Sequence, residues 1–241
     1  MSRVSKFEEI IIMRKEVIIL GVVAAVVIVA GFVGASYYRS SVQSERKPVN
    51  TATTNSNVST GQLIRPDSPT LGPADAKITL VEFYDPECES CAAFAPAVKR
   101  IMKDYEGKIR LVARYMPLHP NSVAAATFTE AAGEQGKYWQ AQDMLFQKQP
   151  EWGTKHGSAP DPAAPPLNQL FDKYARELGL DLDKAAVAVK ERRYDAKIER
   201  DRKDGQSLGV RRTPTFFVNG RELVRFGEAD LRALIEEELR K

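Results

Sequence analysis

Cys88 and Cys91 are the two cysteines of the 241-residue chain, and they stand two residues apart in VEFYDPECESCAAFAP, Val81 to Pro96. Three chemistries suit such a pair: a dithiol that cycles with a disulfide, half of a metal site, or a small structural loop. A loop this short barely restricts the unfolded chain, so stabilisation is a weak explanation. A zinc site wants four ligands, and the chain has only His119 and His156 to add. Two cysteines cannot build the disulfide framework of a small secreted domain, and a chain of this length does not need one. A pair placed by chance predicts neither the spacing nor the placement between strand and helix, so redox chemistry is the reading to test.

That chemistry depends on the elements around the pair. KITLVEFY (Lys77 to Tyr84) is rich in β-branched and aromatic residues and too short for a typical helix, which predicts a buried strand. CAAFAPAVKRIMKDY places Ala92, Ala95, Val98, Ile101, Met102 and Tyr105 on one helical face, with Pro96 expected to kink it. Cys88 would then sit at a helix N-terminus, where free N–H groups and the helix dipole favour a thiolate. Position makes Cys88 the attacking sulfur and Cys91, one turn on, the resolving one. Glu82 precedes Cys88 by six residues in the apolar strand. It is either a buried carboxylate able to carry protons during exchange or an outward-facing residue of an alternating strand. Thr213-Pro214 opens the last strand region. It reads as a cis-Pro turn presenting the Thr213 backbone to a substrate chain, or as an ordinary trans proline.

KIRLVARYMPL (Lys108 to Leu118) predicts a second strand, so the order strand, helix, strand suggests a parallel βαβ unit. A helical region follows over about 120–208, with a break near Gly133 to Gly136. GTKHGSAPDPAAPP is read as a loop, Leu167 to Leu178 as an amphipathic helix stopped by Gly179, and Asp181 as the cap of another helix. Asn219-Gly220 between TFFV (Thr215 to Val218) and ELVRF (Glu222 to Phe226) is a strong hairpin signal, and an amphipathic helix closes the chain.

Ahead of this domain, Val17 to Tyr38 are 22 residues without a charge, long enough as a helix to cross roughly 30 Å of hydrocarbon. They are expected to anchor the chain in a membrane, with residues 1–16 cytoplasmic; cleavage after Ala35 is the alternative. Residues 39–69 are polar and expected to be a disordered tether, leaving 70–241 as the folded domain. With 43% hydrophobic and 28% charged residues the chain can fill one core. Its formal charge of +3 gives no reason to expect nucleic acid as a partner.

VEFYDPECESCAAFAP, TLGPADAKIT before it, HPNSVAAATFTEAAGEQGKYWQAQDMLF and GVRRTPTFFVNG together resemble the DsbA-like branch of the thioredoxin superfamily over roughly residues 70–240. The resemblance implies an α/β thioredoxin fold with a helical insertion, working outside a bacterial cytoplasmic membrane, with the N-terminus inside. It implies Cys88 as nucleophile, Cys91 as resolving thiol, Glu82 as buried acid, and a cis Pro214 preceded by Thr213 for substrate binding. Such a protein would exchange disulfides with cysteines of secreted or envelope proteins and be reoxidised by a membrane enzyme of DsbB or VKOR type, or kept reduced by a membrane reductase. No cofactor or metal is implied. One departure concerns tuning: DsbA-like oxidases usually hold Pro-His between the cysteines, whereas Glu89-Ser90 stand here, flanked by Asp85 and Glu87. Nearby anions oppose a thiolate, so the Cys88 thiol is expected above that of a strong oxidase, with Ser90 able to offer a compensating hydrogen bond. The oxidising direction is expected. A reductase or isomerase using the same site is the alternative, and a holdase or binding module without turnover is the alternative of another class.

Overall fold

The computed structural model describes residues 60–154 and 165–241. The expected membrane span over 17–38, His156 and most of the loop around it lie outside the described residues. No helix among the described residues is long and apolar enough to cross a membrane.

Five strands form one mixed sheet in the order β1-β3-β2-β4-β5. The central strand β2 (Ile78–Tyr84) runs parallel to β3 (Ile109–Tyr115), in register from Ile78 opposite Ile109 to Tyr84 opposite Tyr115. Helix α2 (Glu89–Asp104) is the crossover between them, so the βαβ unit is present. β2 is buried along almost its whole length because both faces are covered, as a near-continuous apolar run requires. Ile78 and Leu80 face α2 and the closing helix α9 (Glu228–Leu239), which contribute Val98, Ile101, Leu231 and Ile235. Val81 and Phe83 point the other way, into a second cluster with Leu63, Val112, Met116 and Phe217.

On the far side of β2, β4 (Thr215–Val218) pairs antiparallel, with Phe83 opposite Thr215. β5 is only Arg221–Glu222, shorter than the expected run to Phe226. Leu223 still donates to the Phe216 carbonyl (2.8 Å), but Val224 and Phe226 are exposed and the chain leaves the sheet there.

The insertion consists of α3 (Ser122–Gly133), α4 (Tyr138–Gln147), α5 (Gln149–Trp152), α6 (Leu167–Glu177) and α7 (Leu182–Lys190). Phe128, Trp152, Phe171 and Tyr174 are central to its own core. Asp181 caps α7 by accepting from the Lys184 N–H (3.1 Å). α8 (Asp195–Ser207) returns to the sheet beside β3, close enough that Gly205 lies against the Phe83 ring and Met116.

The tether boundary at 69 is corrected by ten residues. α1 (Thr60–Leu63) and β1 (Thr70–Leu71) belong to the folded domain. Leu63 is buried, and the fully buried Arg114 of β3 donates to the carbonyls of Gln62 (2.6 Å) and Leu63 (2.7 Å). Arg114 also pairs with Asp204 (2.6 Å) and Asp201 (2.9 Å) of α8, and Arg65 grips Asp204 with two bonds of 2.7 and 2.8 Å. A few specific side chains outweigh the polar composition of the segment.

Candidate active site

Cys88 is the N-cap of α2, in extended conformation at φ −73° and ψ 120°. Its carbonyl accepts the Ala92 N–H (3.1 Å), and its sulfur faces the N–H groups of Ser90 and Cys91. The β2–β4 register places Thr213, two residues before Thr215, at the level of the turn beyond β2. There the Cys88 thiol donates to the Thr213 carbonyl (3.4 Å), and the Thr213–Pro214 peptide is cis. Cys91 lies one helical turn behind Cys88, fully buried; both sulfurs are in the dithiol form.

Glu82 shares the sheet face of Ile78 and Leu80, because side chains alternate along a strand. That face lies under α2, so the carboxyl is buried rather than outward. It borders a cavity of about 200 Å³ lined by Leu71, Trp139, Gln142 and Phe146, whose edge carries the Lys99–Asp143 ion pair (2.7 Å). The structure therefore brings Cys88, Cys91, Thr213 and Pro214 together, with Glu82 coupled to both sulfurs from behind. Glu89 and the Ser90 side chain are exposed, and Ser90 acts on Cys88 through its backbone N–H.

The three acid groups are pushed apart. Hydrogen bonding from the Cys91 thiol, helped by the Thr213 side chain and the two helix N–H groups against the cost of burial, pulls the Cys88 thiol down to about 5. Burial pushes the Cys91 thiol up, and the charges of Cys88 and Glu82 add to that. Burial, then the charge on Cys88, raises Glu82 to about 8. The arrangement gives one ready nucleophile, one thiol that stays protonated, and one acid that still holds its proton at neutral pH.

Asp85 and Glu87 do not stand as free anions beside the sulfur. Glu87 accepts from the N–H (2.5 Å) and side-chain amide (3.1 Å) of Asn121 and from the Thr154 N–H (2.8 Å). Asp85 accepts from Ser122 and His119, among others. Charge counting along the sequence missed this layer, whose only signal was a His-Pro-Asn-Ser run opening a helix. Among the described residues, no three His, Cys, Asp or Glu side chains are grouped to hold a metal ion.

A family model described as thioredoxin matches residues 65–237. The chain belongs to the thioredoxin family. Among solved structures, this thioredoxin domain is similar to a thioredoxin-like oxidoreductase from Silicibacter pomeroyi (26% identity, TM-score 0.61, covering 75% of this chain and 98% of that one). It shares its fold with oxidised BdbD from Bacillus subtilis (24% identity, TM-score 0.62, covering 72% and 94%). The same holds for the thiol-disulfide exchange protein alpha-DsbA2 from Wolbachia pipientis (21% identity, TM-score 0.60, covering 74% and 90%). Among curated proteins it is 38% identical over 153 residues to Na(+)/H(+) antiporter NhaA 3 of Salinispora tropica, covering 62% of this chain and 21% of that protein. It is 34% identical over 152 residues to the NhaA antiporter of Herminiimonas arsenicoxydans, covering 63% and 22%. The chain thus spans about a fifth of the length of the curated relatives it matches.

Proposed function

We propose that the domain is a thiol:disulfide oxidoreductase that donates its Cys88–Cys91 disulfide to cysteines of secreted or envelope proteins. The observation that carries this is the placement of the two sulfurs: Cys88 on the N-terminus of α2 under the Thr213 carbonyl, Cys91 buried behind it. In the oxidising direction a substrate thiolate attacks the Cys88 sulfur. The Cys88–Cys91 bond breaks, and Cys91 leaves with the electron pair and takes a proton from Glu82. A second substrate thiolate then attacks the substrate sulfur of the mixed disulfide and releases Cys88 as a thiolate. The substrate leaves with a disulfide and the domain with two reduced cysteines, so an oxidant must restore it. A membrane partner of DsbB or VKOR type fits that role.

Direction is supported by the Cys88 thiol, held near 5. That lies between roughly 3.5 for a strongly oxidising member of this fold class and about 7 for thioredoxin. Anchoring is supported by the uncharged run Val17 to Tyr38, and an extracytoplasmic placement by the cysteine pair itself, since disulfides persist outside the cytoplasm. The ion exchange named for the antiporter relatives is not carried over, because the shared stretch is a small part of their length.

The test is equilibration of the purified protein in glutathione buffers, following the cysteines by alkylation and mass. A potential well above thioredoxin's roughly −270 mV is expected, and a value at or below it would reverse the assigned direction. Failure of Cys88 and Cys91 to form a disulfide with each other would end the oxidoreductase reading. A double Cys88→Ser, Cys91→Ser variant that kept full function would point to a holdase instead.

A further inference from the structure

Four donors converge on the fully buried carboxylate of Asp85, three residues before Cys88. The Glu87 N–H (2.8 Å) and the Ser122 hydroxyl (2.5 Å) meet Oδ1; the Leu118 N–H (2.7 Å) and His119 Nδ1 (2.7 Å) meet Oδ2. The Asp85 carbonyl also accepts the Cys88 N–H (3.1 Å). One residue therefore holds both the turn that carries the sulfur and the imidazole of a distant loop. A carboxylate on one ring nitrogen fixes the orientation of an imidazole and favours its cation. Burial works against that cation, but the hydrogen bond and charge of Asp85 hold His119 above its ordinary value, and Cys88 and Glu87 add to the effect. His119 Nδ1 and the Cys88 N–H are thus held by the side chain and the carbonyl of one residue, which sets the imidazole beside the turn that carries the sulfur, while Glu89-Ser90 between the cysteines offers no cation.

We propose that His119, oriented by Asp85, supplies the positive charge that stabilises the Cys88 thiolate from across the turn. This rests on the reading of Cys88 as the sulfur that exchanges with substrate. Among the described residues, charges that share the surroundings of His119 are engaged elsewhere. Glu87 is held by Asn121 and Thr154. Across the adjoining cleft, Arg192 pairs with Asp195 (2.6 Å) and Arg202 with Glu199 (2.6 Å), on α8 and the turn before it.

The experiment follows the rate of Cys88 alkylation against pH in the reduced full-length protein, as wild type, His119→Gln and His119→Lys. Loss of the imidazole should lower the thiolate fraction at a given acidic pH by about threefold to tenfold, half to one pKa unit. His119→Lys restores a cation without the ring and should recover part of that loss, which a purely structural role would not produce. A wild-type curve superimposed on that of His119→Gln, or Gln and Lys variants equally impaired, overturns the inference. The glutathione equilibration judges the underlying reading separately: if the disulfide forms normally while the alkylation curves superimpose, only the role of His119 falls.

Discussion

Glu82 is a carboxyl held in its protonated form by burial, and the sign of its effect on stability follows. Its folded value of about 8 lies above the ordinary value, so the stability it contributes is complete at low pH and is lost as pH rises through about 8. Glu82→Gln never takes a charge. Relative to wild type the variant should match at about pH 4 and gain on the order of a few kcal/mol above about pH 8, read from urea midpoints at each pH. The same change removes the proton that Cys91 takes as it leaves, so oxidation of a model dithiol should slow about a hundredfold at neutral pH. A variant neither stabilised at high pH nor slowed would place the acid elsewhere. Offered a disulfide-bonded substrate, Cys91→Ser is expected to accumulate a mixed disulfide, because the Cys88 thiolate attacks one substrate sulfur, releases the other as a thiolate and then meets no resolving thiol; the product is seen as a substrate-sized mass increment that reductant removes, and without it Cys88 is not the sulfur that exchanges with substrate. Cys88 and Cys91 could be found in the sequence because their spacing and placement are local, whereas Glu82 and Pro214 each allowed two readings there and took their roles from the family resemblance. Asp85 could not be found there, because three of the four donors that make it a hub come from residues more than thirty positions away.

At the scale of elements, the least legible feature is how α1 docks. A polar stretch averages towards disorder, and nothing in QLIRP announces a partner on β3 and α8. The fold is decided by Arg114, a charged residue in the middle of a buried strand, whose guanidinium joins α1 carbonyls to Asp201 and Asp204. Conversely, the βαβ unit, the Asn219-Gly220 turn and the cap at Asp181 were legible, since period, turn chemistry and capping are local. Arg114→Met keeps roughly the length of the side chain but leaves the buried Asp201 only the Tyr115 N–H (3.2 Å) and a distant Arg200 (3.7 Å), and unpairs two carbonyls. Removal of one partner from a buried pair typically costs about 3–5 kcal/mol. The urea midpoint should fall accordingly with an unchanged slope, and a shift of under about 1 kcal/mol would show that α1 and α8 are held by apolar packing alone.

For the whole molecule, the two redox states should differ in stability in a way that pH controls. In the reduced state the Cys88 thiol sits near 5, well below its unfolded value of about 8.5. A depressed acid contributes stability that is fully present above the unfolded value and is lost as pH falls through the folded one. Between about pH 5 and pH 7 the reduced state should therefore gain about 2 kcal/mol over the oxidised state, which has no thiolate to stabilise. The burial cost of Glu82 that is common to the two states cancels in the difference. Closing so short a loop favours the oxidised form by only roughly 2 kcal/mol in the chain-entropy model. The oxidised protein should thus unfold later at about pH 5, and the order should level or invert by about pH 8, as urea midpoints of both states would show. Thermodynamic linkage gives that inversion its functional meaning: a reduced state more stable than the oxidised one makes the disulfide a donor. A stability difference that stays constant with pH would mean that the fold does not favour the Cys88 thiolate, and the thermodynamic drive for donating disulfides would be missing.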